Sequence, residues 1–512
     1  MVLLLCEALD KAVMDAMTEE SPQLNEYQQA AINILTSILR GNVELPVAAV
    51  QGPPGTGKTT VVEGFVQYEK GLADYMLRET TSSEIIIYTA PTNFLAWDAF
   101  RRVVTALLRK GFSLRDILDL VRVYGSKIKP CRPGYIPRTD EVRKILGKIN
   151  QLMSREIDVY IVKLIFAVEF QRVSSKFTAK PSRINFIVDE ASKTPYYRFL
   201  LPVADAIIRS PGTYPASLMV LGDPEQAITV PEEFRDHRVP LLMRKVIYSL
   251  NNLGSNIIRK HHVLLQVTYR LPRPSEEPIS HGYYDGRLRS YYRLTDRGVV
   301  CQLLEIISQE RAKIETKLQT LPSIWDEITK KLLDAIVCAY ANNIPLIAVN
   351  TRRFRQRAIP TFDPRRVEIA TRFAAIFSVA TDYADLRLGY AITAPYSDLV
   401  NTAAYRIRRR LGKVLPKPTT TTVQAMIGNE SDIVITMLGK EWSSQVGFDD
   451  YETIYAREPE VLNVQLSRHR GLEVIIGDLE NLSRFPARKV AKTAKQLLSL
   501  GRKTHGAIIV NL

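Results

Sequence analysis

Val47-Ala48-Ala49-Val50-Gln51-Gly52-Pro53-Pro54-Gly55-Thr56-Gly57-Lys58-Thr59 is the stretch whose reading decides the fold. Four small or branched apolar residues make a run of buried-strand length, and it passes directly into the spacing GxxxxGK[ST]. Glycines there let successive backbone N–H groups curl round phosphate oxygens, and a helix predicted over Thr60–Glu69 adds the partial positive charge of its first turn. Gly52, Gly55, Thr56, Gly57, Lys58, Thr59 and Thr60 are therefore a candidate nucleotide cradle, with Lys58 reaching the phosphates and Thr59 ligating Mg2+.

Such a cradle needs an acidic site at the end of another buried strand. Ile184–Val188 supplies the strand and ends in Asp189-Glu190-Ala191-Ser192. Asp189 would hold Mg2+, and Glu190 would orient and deprotonate an attacking water. Two acids at a strand end also read as a helix N-cap; only the cradle upstream favours the catalytic reading. Two further strands pass into turns at Ala90-Pro91-Thr92-Asn93 and at Gly222-Asp223-Pro224-Glu225-Gln226. Strand carboxyl ends are where open α/β sheets bind ligands. Gln226 would bond a γ-phosphate, or would belong to a plain polar turn.

The chain has 512 residues and a formal charge of +15. Residues 350–417 hold 14 Lys/Arg against 5 Asp/Glu, and residues 484–503 hold 7 against none, so the remainder is close to neutral. Localised basic surface points to a polyanionic partner, against the plainer reading of solvated helix faces. Cys6, Cys131, Cys301 and Cys338 lie far apart and read as reduced thiols, with no local ligand set for structural zinc or an iron–sulfur cluster. The one close histidine pair, His261-His262, reads as a strand with its side chains on opposite faces. No apolar run reaches the length of a membrane span, so an intracellular chain, cytoplasmic or in the nucleoid or nucleus, is expected.

The motif order resembles superfamily one helicases. Leu24-Asn25-Glu26-Tyr27-Gln28-Gln29-Ala30 is similar to the LNxxQxxA motif, whose Gln reads the adenine edge. The cradle, APTN, DEAS and GDPEQ follow in the family's order, and the spelling GPPGTGKT resembles the up-frameshift-like branch. Leu265-Gln266-Val267-Thr268-Tyr269-Arg270 resembles LQVQYR, Tyr283–Leu288 resembles FYxGxL, and Ile392-Thr393-Ala394-Pro395-Tyr396 resembles ITPY. Thr422–Asp432 resembles TVxAxQGxExD and Val464–Arg470 resembles VALTRAR. The resemblance threads from about residue 24 to 478. It implies an α/β fold of two tandem RecA-like P-loop NTPase domains with parallel sheets and helical insertions. It also implies Tyr269 stacked on adenine, Arg270 and the finger Arg468 on the γ-phosphate, and Gly428 and Glu430 near the nucleotide. Pro91, Thr92, Asn93, Pro395, Tyr396 and Thr422 would lie along a nucleic-acid strand. Ile427, Thr268 and Leu271-Pro272 depart from the family pattern and put polar contacts there in doubt.

The expected layout is an N-terminal helix over 1–23, a first RecA-like domain over 24–257, a second over 258–485, and a basic C-terminal helix and tail over 486–512. Residues 101–157 read as helices, with Val142, Ile145, Leu146, Ile149, Leu152 and Met153 in register after a Thr139 cap. Within a second insertion, 296–342, a helical hairpin breaks near Pro322, with Leu303, Ile307, Ile314 and Leu318 on one face. Each insertion reads as a structural buttress or as a strand clamp or protein contact. Leu415–Thr421 reads as a connector. Arg352, Arg353, Arg355, Arg357 and Arg406–Arg410, with Phe354, Tyr396 and Tyr405 as stacking platforms, frame the ITPY-like turn as a strand site. The terminal basic helix reads as a duplex or partner contact, or as simple packing. The expectation is an ATP- and Mg2+-dependent helicase or translocase on single-stranded DNA or RNA, moving 5′→3′. The alternatives are an ATP switch that binds nucleic acid without unwinding it and, further off, a small-molecule P-loop kinase.

Overall fold

The computed structural model describes residues 3–18, 20, 23–78, 83–125, 128–154, 156–167, 173, 175–197, 199–200, 204, 216–226, 241–351, 363–426, 428–439, 454–503 and 506–512. Ile427 and the run Arg352–Arg357 fall outside these. The chain divides into two compact units. Met1–Pro53, Gly57–Pro224 and Thr229–Leu265 form the first, and Pro54–Thr56, Glu225–Ile228 and Gln266–Leu512 the second.

The first unit is built on strands β1 (Val47–Gln51), β2 (Glu84–Thr89), β3 (Val121–Tyr124), β4 (Leu164–Ala167), β5 (Arg183–Val188), β6 (Ala216–Gly222) and β7 (His262–Leu264). They form one sheet in the order β3-β4-β2-β5-β6-β1-β7, every pairing parallel. Near-continuous apolar runs such as Ala48–Val50 and Ile85–Tyr88 are buried because a parallel sheet carries helices on both faces. Those named below are α1 (Leu5–Thr18), α2 (Glu26–Leu39), α3 (Lys58–Gln67) and α4 (Asn93–Arg109). Leu5, Leu9 and Val13 of α1 share a core with Phe100, Val103 and Leu107 of α4.

The second unit uses β8 (Leu346–Asn350), β9 (Tyr390–Ala394), β10 (Thr419–Thr422), β11 (Ser431–Met437), β12 (His469–Gly477) and β13 (Ile508–Asn511). Their order is β10-β9-β11-β12-β8-β13, again wholly parallel. The helices used below are α5 (Glu277–Tyr283), α6 (Pro364–Ala384), α7 (Ser397–Leu411) and α8 (Arg488–Leu500). α6 is buried over most of its circumference, with Phe373 and Phe377 stacked at 6.2 Å. Both units are thus α/β domains of the RecA-like kind, and each opens the carboxyl ends of its strands along one sheet edge.

Several expectations are corrected. Val121–Tyr124 adds an edge strand inside the stretch that periodicity assigns to helices, since alternating β-branched Val121 and Val123 favour pairing with β4. Leu146–Met153 is 3-10 rather than α-helical from Leu146-Gly147 onward. The expected hairpin is three helices, Gly298–Gln309, Arg311–Gln319 and Glu327–Ala341, although Leu303, Ile307, Ile314 and Leu318 do share one core. The connector contributes β10, whose threonine run suits an edge strand. His261 ends a helix, its ring Nδ1 2.8 Å from the Val47 carbonyl, and only His262 enters β7.

The cysteine reading is also overturned: Cys6 and Cys131 form a disulfide, with Cα atoms 5.3 Å apart. A separation of 125 residues conceals the pair in sequence. Leu3–Leu4 pairs in parallel with Ile128–Lys129, and the Cys6 amide donates to the Pro130 carbonyl, which aligns the two thiols.

Asp10 of α1 fastens the same region. It is 2% exposed and accepts hydrogen bonds from the amides of Arg138 (2.8 Å) and Thr139 (3.0 Å) and from the hydroxyls of Thr139 (2.6 Å) and Tyr135. The Thr139 hydroxyl therefore serves Asp10 instead of capping the helix Asp140–Ile145. Burial raises the Asp10 carboxyl, but the hydrogen bonds outweigh it and hold the group below the ordinary Asp value. A depressed carboxyl contributes stability that is complete above its unfolded pKa of about 3.9 and lost as pH falls through the folded value. Asp10→Asn turns an NH2 group toward these donors and should cost about 1–3 kcal/mol at pH 7, measured by urea unfolding. The deficit relative to wild type should narrow below about pH 4.

Candidate active site

In the first unit β1 delivers the chain to the cradle. Gly57, at φ 79°, is the N-cap of α3, and Lys58 is its first residue. Lys58 Nζ donates to the Gly52 carbonyl at 2.6 Å, across the mouth of the turn, and Thr59 and Thr60 follow in the first turn of α3. Gln28 sits against this turn. It is the third residue of α2, held by a reciprocal capping pair with Asn25 (Gln28 amide to Asn25 Oδ1 2.9 Å, Asn25 amide to Gln28 Oε1 3.0 Å). A Cβ at Gly57 would run into Gln28 Nε2, so only glycine admits both the left-handed backbone and the neighbouring amide.

β5 ends at the expected acids. The Tyr88 hydroxyl donates to Asp189 Oδ2 at 2.9 Å and the Glu190 amide to Asp189 Oδ1 at 2.8 Å. Burial first and the Glu190 charge second raise the Asp189 carboxyl above its ordinary value, while Tyr88, the Glu190 amide and Lys58 pull it down. A carboxylate that is buried beside a second acid gains from an added cation, so Asp189 is of a kind that Mg2+ would stabilise. Glu190 stands at φ 49° and pairs with Lys193 at 3.3 Å. β6, between β5 and β1, ends where the Gly52 amide donates to the Gly222 carbonyl at 2.8 Å.

The cradle tip, Pro54–Thr56, belongs to the second unit, and the sheet register explains why. Gln51 pairs with Leu264, and the Leu265 amide donates to the Gln51 carbonyl at 2.9 Å, so the chain leaves β1 and β7 side by side. Within the second unit, the Thr268 hydroxyl donates to the Pro54 carbonyl at 2.7 Å and accepts from the Arg270 amide at 3.3 Å, while the Tyr269 amide donates to the Gly55 carbonyl at 2.9 Å. Thr268, which departs from the family pattern, is thus the side chain that ties the tip in place. A Cβ at Gly55 would overlap Arg270 Cβ, at a backbone φ of 69°.

The same unit gathers the expected arginines. Arg270 Nη1 donates to the Ser467 carbonyl at 3.2 Å, and its Nε lies 2.5 Å from Glu430 Oε2. Arg468 Nη2 donates to Gln226 Oε1 at 2.9 Å, and Nε to the Val464 carbonyl at 2.9 Å. Burial raises the Glu430 carboxyl, and Arg270 and Arg470 outweigh it, keeping it below the usual Glu range. Gly428, at φ 86°, makes the exposed turn just before it.

Three residues here escaped the motif reading. Tyr291 is 61% exposed, with its ring 5.2 Å from Tyr269. Tyr292 packs edge-on to both rings. Arg297 lies 4.3 Å over Tyr292 and donates to the carbonyls of Tyr269 (2.7 Å) and Arg270 (2.8 Å). The signal available was Tyr291-Tyr292 itself, which follows a two-residue strand paired in parallel with Val267–Thr268.

The strand-contact candidates fall at strand carboxyl ends. In the first unit Pro91, Thr92 and Asn93 follow β2, and Thr92 caps α4 through the Leu95 amide at 3.3 Å. In the second, Pro395 and Tyr396 follow β9 while Thr422 ends β10, and the register Ala394↔Thr422 sets them side by side. The arginines of α7 are redistributed. Arg406 and Arg410 bond Glu368 of α6 at 2.8 and 2.5 Å, as does Arg372 at 2.5 Å, and Arg410 and Arg372 outweigh burial to hold the Glu368 carboxyl low. Arg408 and Arg409 face solvent, about 20 Å from Tyr396 along the helix at 1.5 Å per residue. Only their place in the sequence flanks the ITPY-like turn.

A family model described as an AAA domain matches residues 23–157. No curated protein sequence matches the chain. Among solved structures, a Saccharomyces cerevisiae Dbp5 variant bound to RNA and ADP BeF3 is similar at 12% identity and TM-score 0.33, over 98% of this chain and 93% of that one. The DUF1998 helicase MrfA bound to DNA is similar at 11% and 0.35, over 92% of this chain and 50% of its own. The PRRSV nsp10 helicase is similar at 12% and 0.18, over 88% and 56%. The chain therefore spans about half the length of the latter two, and TM-scores this low carry no further conclusion.

Thr268 supplies the sharpest local test. Its side chain is fully buried, so Thr268→Val leaves the Pro54 carbonyl and the Arg270 amide without their partner and should cost about 1–3 kcal/mol in chemical denaturation. Thr268→Ser, which keeps the hydroxyl, should recover most of that loss.

Proposed function

We infer that the chain is a member of the up-frameshift-like branch of superfamily one helicases, P-loop NTPases that act on nucleic acid, from the ordered motifs of its sequence and the AAA-domain match over residues 23–157. From that premise we propose that it hydrolyses ATP with Mg2+ and uses the cycle to move 5′→3′ along single-stranded DNA or RNA, displacing a paired strand. The observation that carries this reading is the clustering of Gln226, Arg270 and Arg468 in the unit that holds the cradle tip Pro54–Thr56. Phosphoryl transfer loads negative charge onto the γ-phosphate, and fixed arginines act on that charge most strongly where water is excluded.

In this reading Gln28 reads the adenine edge, Tyr269 and the adjoining Tyr291 offer the ring a stacking platform, and Lys58 and the cradle amides hold the phosphates. Thr59 and Asp189 hold Mg2+, which supplies charge to the β- and γ-oxygens when bound. Glu190 takes the proton of the attacking water, and Gln226, Arg270 and Arg468 steady the γ-phosphate; Gly428 and Glu430 lie near the nucleotide, with Glu430 paired to Arg270. Pro91, Thr92 and Asn93 of one unit and Pro395, Tyr396 and Thr422 of the other contact the strand.

Lys58→Ala and Glu190→Gln should abolish strand-stimulated phosphate release. Arg468→Ala should lower kcat by about 10³-fold or more while nucleotide affinity stays near wild type. Near-normal turnover in any of the three contradicts its assignment. A labelled-strand displacement assay separates a helicase from an ATP switch: displacement with ATP but not with a non-hydrolysable analogue supports unwinding, and hydrolysis without displacement supports the switch.

A further inference from the structure

α8 has two unlike faces. Val490, Ala491, Thr493, Ala494, Leu497 and Leu500 are buried, and the helix packs on α5 so closely that a Cβ on Gly282 would overlap the Thr493 hydroxyl. Two of the seven bases in residues 484–503 turn toward that contact. Lys489 pairs with Glu225, and with Glu460 at 3.7 Å, while Lys503 pairs with Glu277 at 3.5 Å. The other five, Arg484, Arg488, Lys492, Lys495 and Arg502, are exposed, and among the described residues no side-chain hydrogen bond or ion pair engages them. From Arg488 they recur at helical spacing, down one face of the helix and into the turn beyond it. At 1.5 Å per residue the row is about 20 Å long.

We propose that this row is a second nucleic-acid site, one that takes the phosphate backbone of a duplex and is separate from the single-strand contacts at Pro395, Tyr396 and Thr422. The inference rests on the nucleic-acid reading above, and three features select the occupant. Cations in series without acids match a polyphosphate and carry no sequence preference. Sites for single strands pair such cations with stacking rings, whereas this face presents none, and Phe485 is buried. A helix that lies on a membrane inserts its apolar side, and the apolar side of α8 is already occupied by α5.

The test uses the full chain and a fourfold variant, Arg488→Gln/Lys492→Gln/Lys495→Gln/Arg502→Gln, in which glutamine preserves helix propensity. Binding to a blunt DNA duplex, a blunt RNA duplex and a single strand of equal length is followed against salt, without nucleotide. On at least one duplex the slope of log K against log salt should become shallower by about 3–4, at roughly 0.9 per released cation, while the single-strand slope changes by less than one. The duplex with the larger change identifies the backbone the row fits. A Lys492→Arg/Lys495→Arg variant should keep the wild-type slope, which excludes a mere packing defect. Unchanged duplex slopes, an equal loss on the single strand, or wild-type binding to phosphatidylserine vesicles or an acidic peptide tighter than to either duplex overturns the proposal. Wild-type protein that binds no nucleic acid contradicts the function proposed above as well, whereas loss of the duplex effect alone concerns only α8.

Discussion

The parallel pairing of β1 with β7 is the constraint on which the site depends. Because Gln51 stands opposite Leu264, the turn after one strand and the segment after the other leave the sheet together. Two backbone carbonyls, of Pro54 and Gly55, are then taken up by Thr268 and Tyr269. That arrangement explains why glycine is needed at 55, where Arg270 presses on the turn. A glycine-rich turn has little intrinsic rigidity. The shape of its tip, Pro54–Thr56, comes from the Thr268–Arg270 segment of the same unit.

Much of this was legible in the sequence because the chemistry is local. A phosphate-binding turn needs its glycines and lysine within eight residues, and a strand ending in two acids shows itself as an apolar run before a charge. Both features survive without tertiary information, and the ordered motifs after residue 265 extend them into the second unit. Contacts made across long separations were not legible. Cys6 meets Cys131 because a two-residue strand pairs near each of them, and Asp10 collects four donors from residues 135–139. Nothing at either end of these contacts has a local signature. Thr139 shows the difficulty well: it stands at the expected cap position, yet its hydroxyl is used elsewhere.

Charge behaved in the same way. The +15 surplus and its two basic windows are visible at once, but a count does not separate cations held by carboxylates from those left to solvent. In α7, Arg406 and Arg410 are held by Glu368, and they stabilise the packing of α6 instead of offering a surface. In residues 484–503, Lys489 and Lys503 are held while the other five bases are not. Partnering, more than local density, decides which basic residues are available to a polyanion.

The central claim is that a strand-binding chain hydrolyses ATP under the control of that strand. The most direct measurement is the steady-state rate of phosphate release from ATP by the purified full chain, with and without a saturating single-stranded oligonucleotide of DNA or of RNA. The account predicts a rate that rises when at least one of the two strands is added and that requires Mg2+. Equal rates with and without either strand, or hydrolysis that persists in the presence of a chelator, would contradict it.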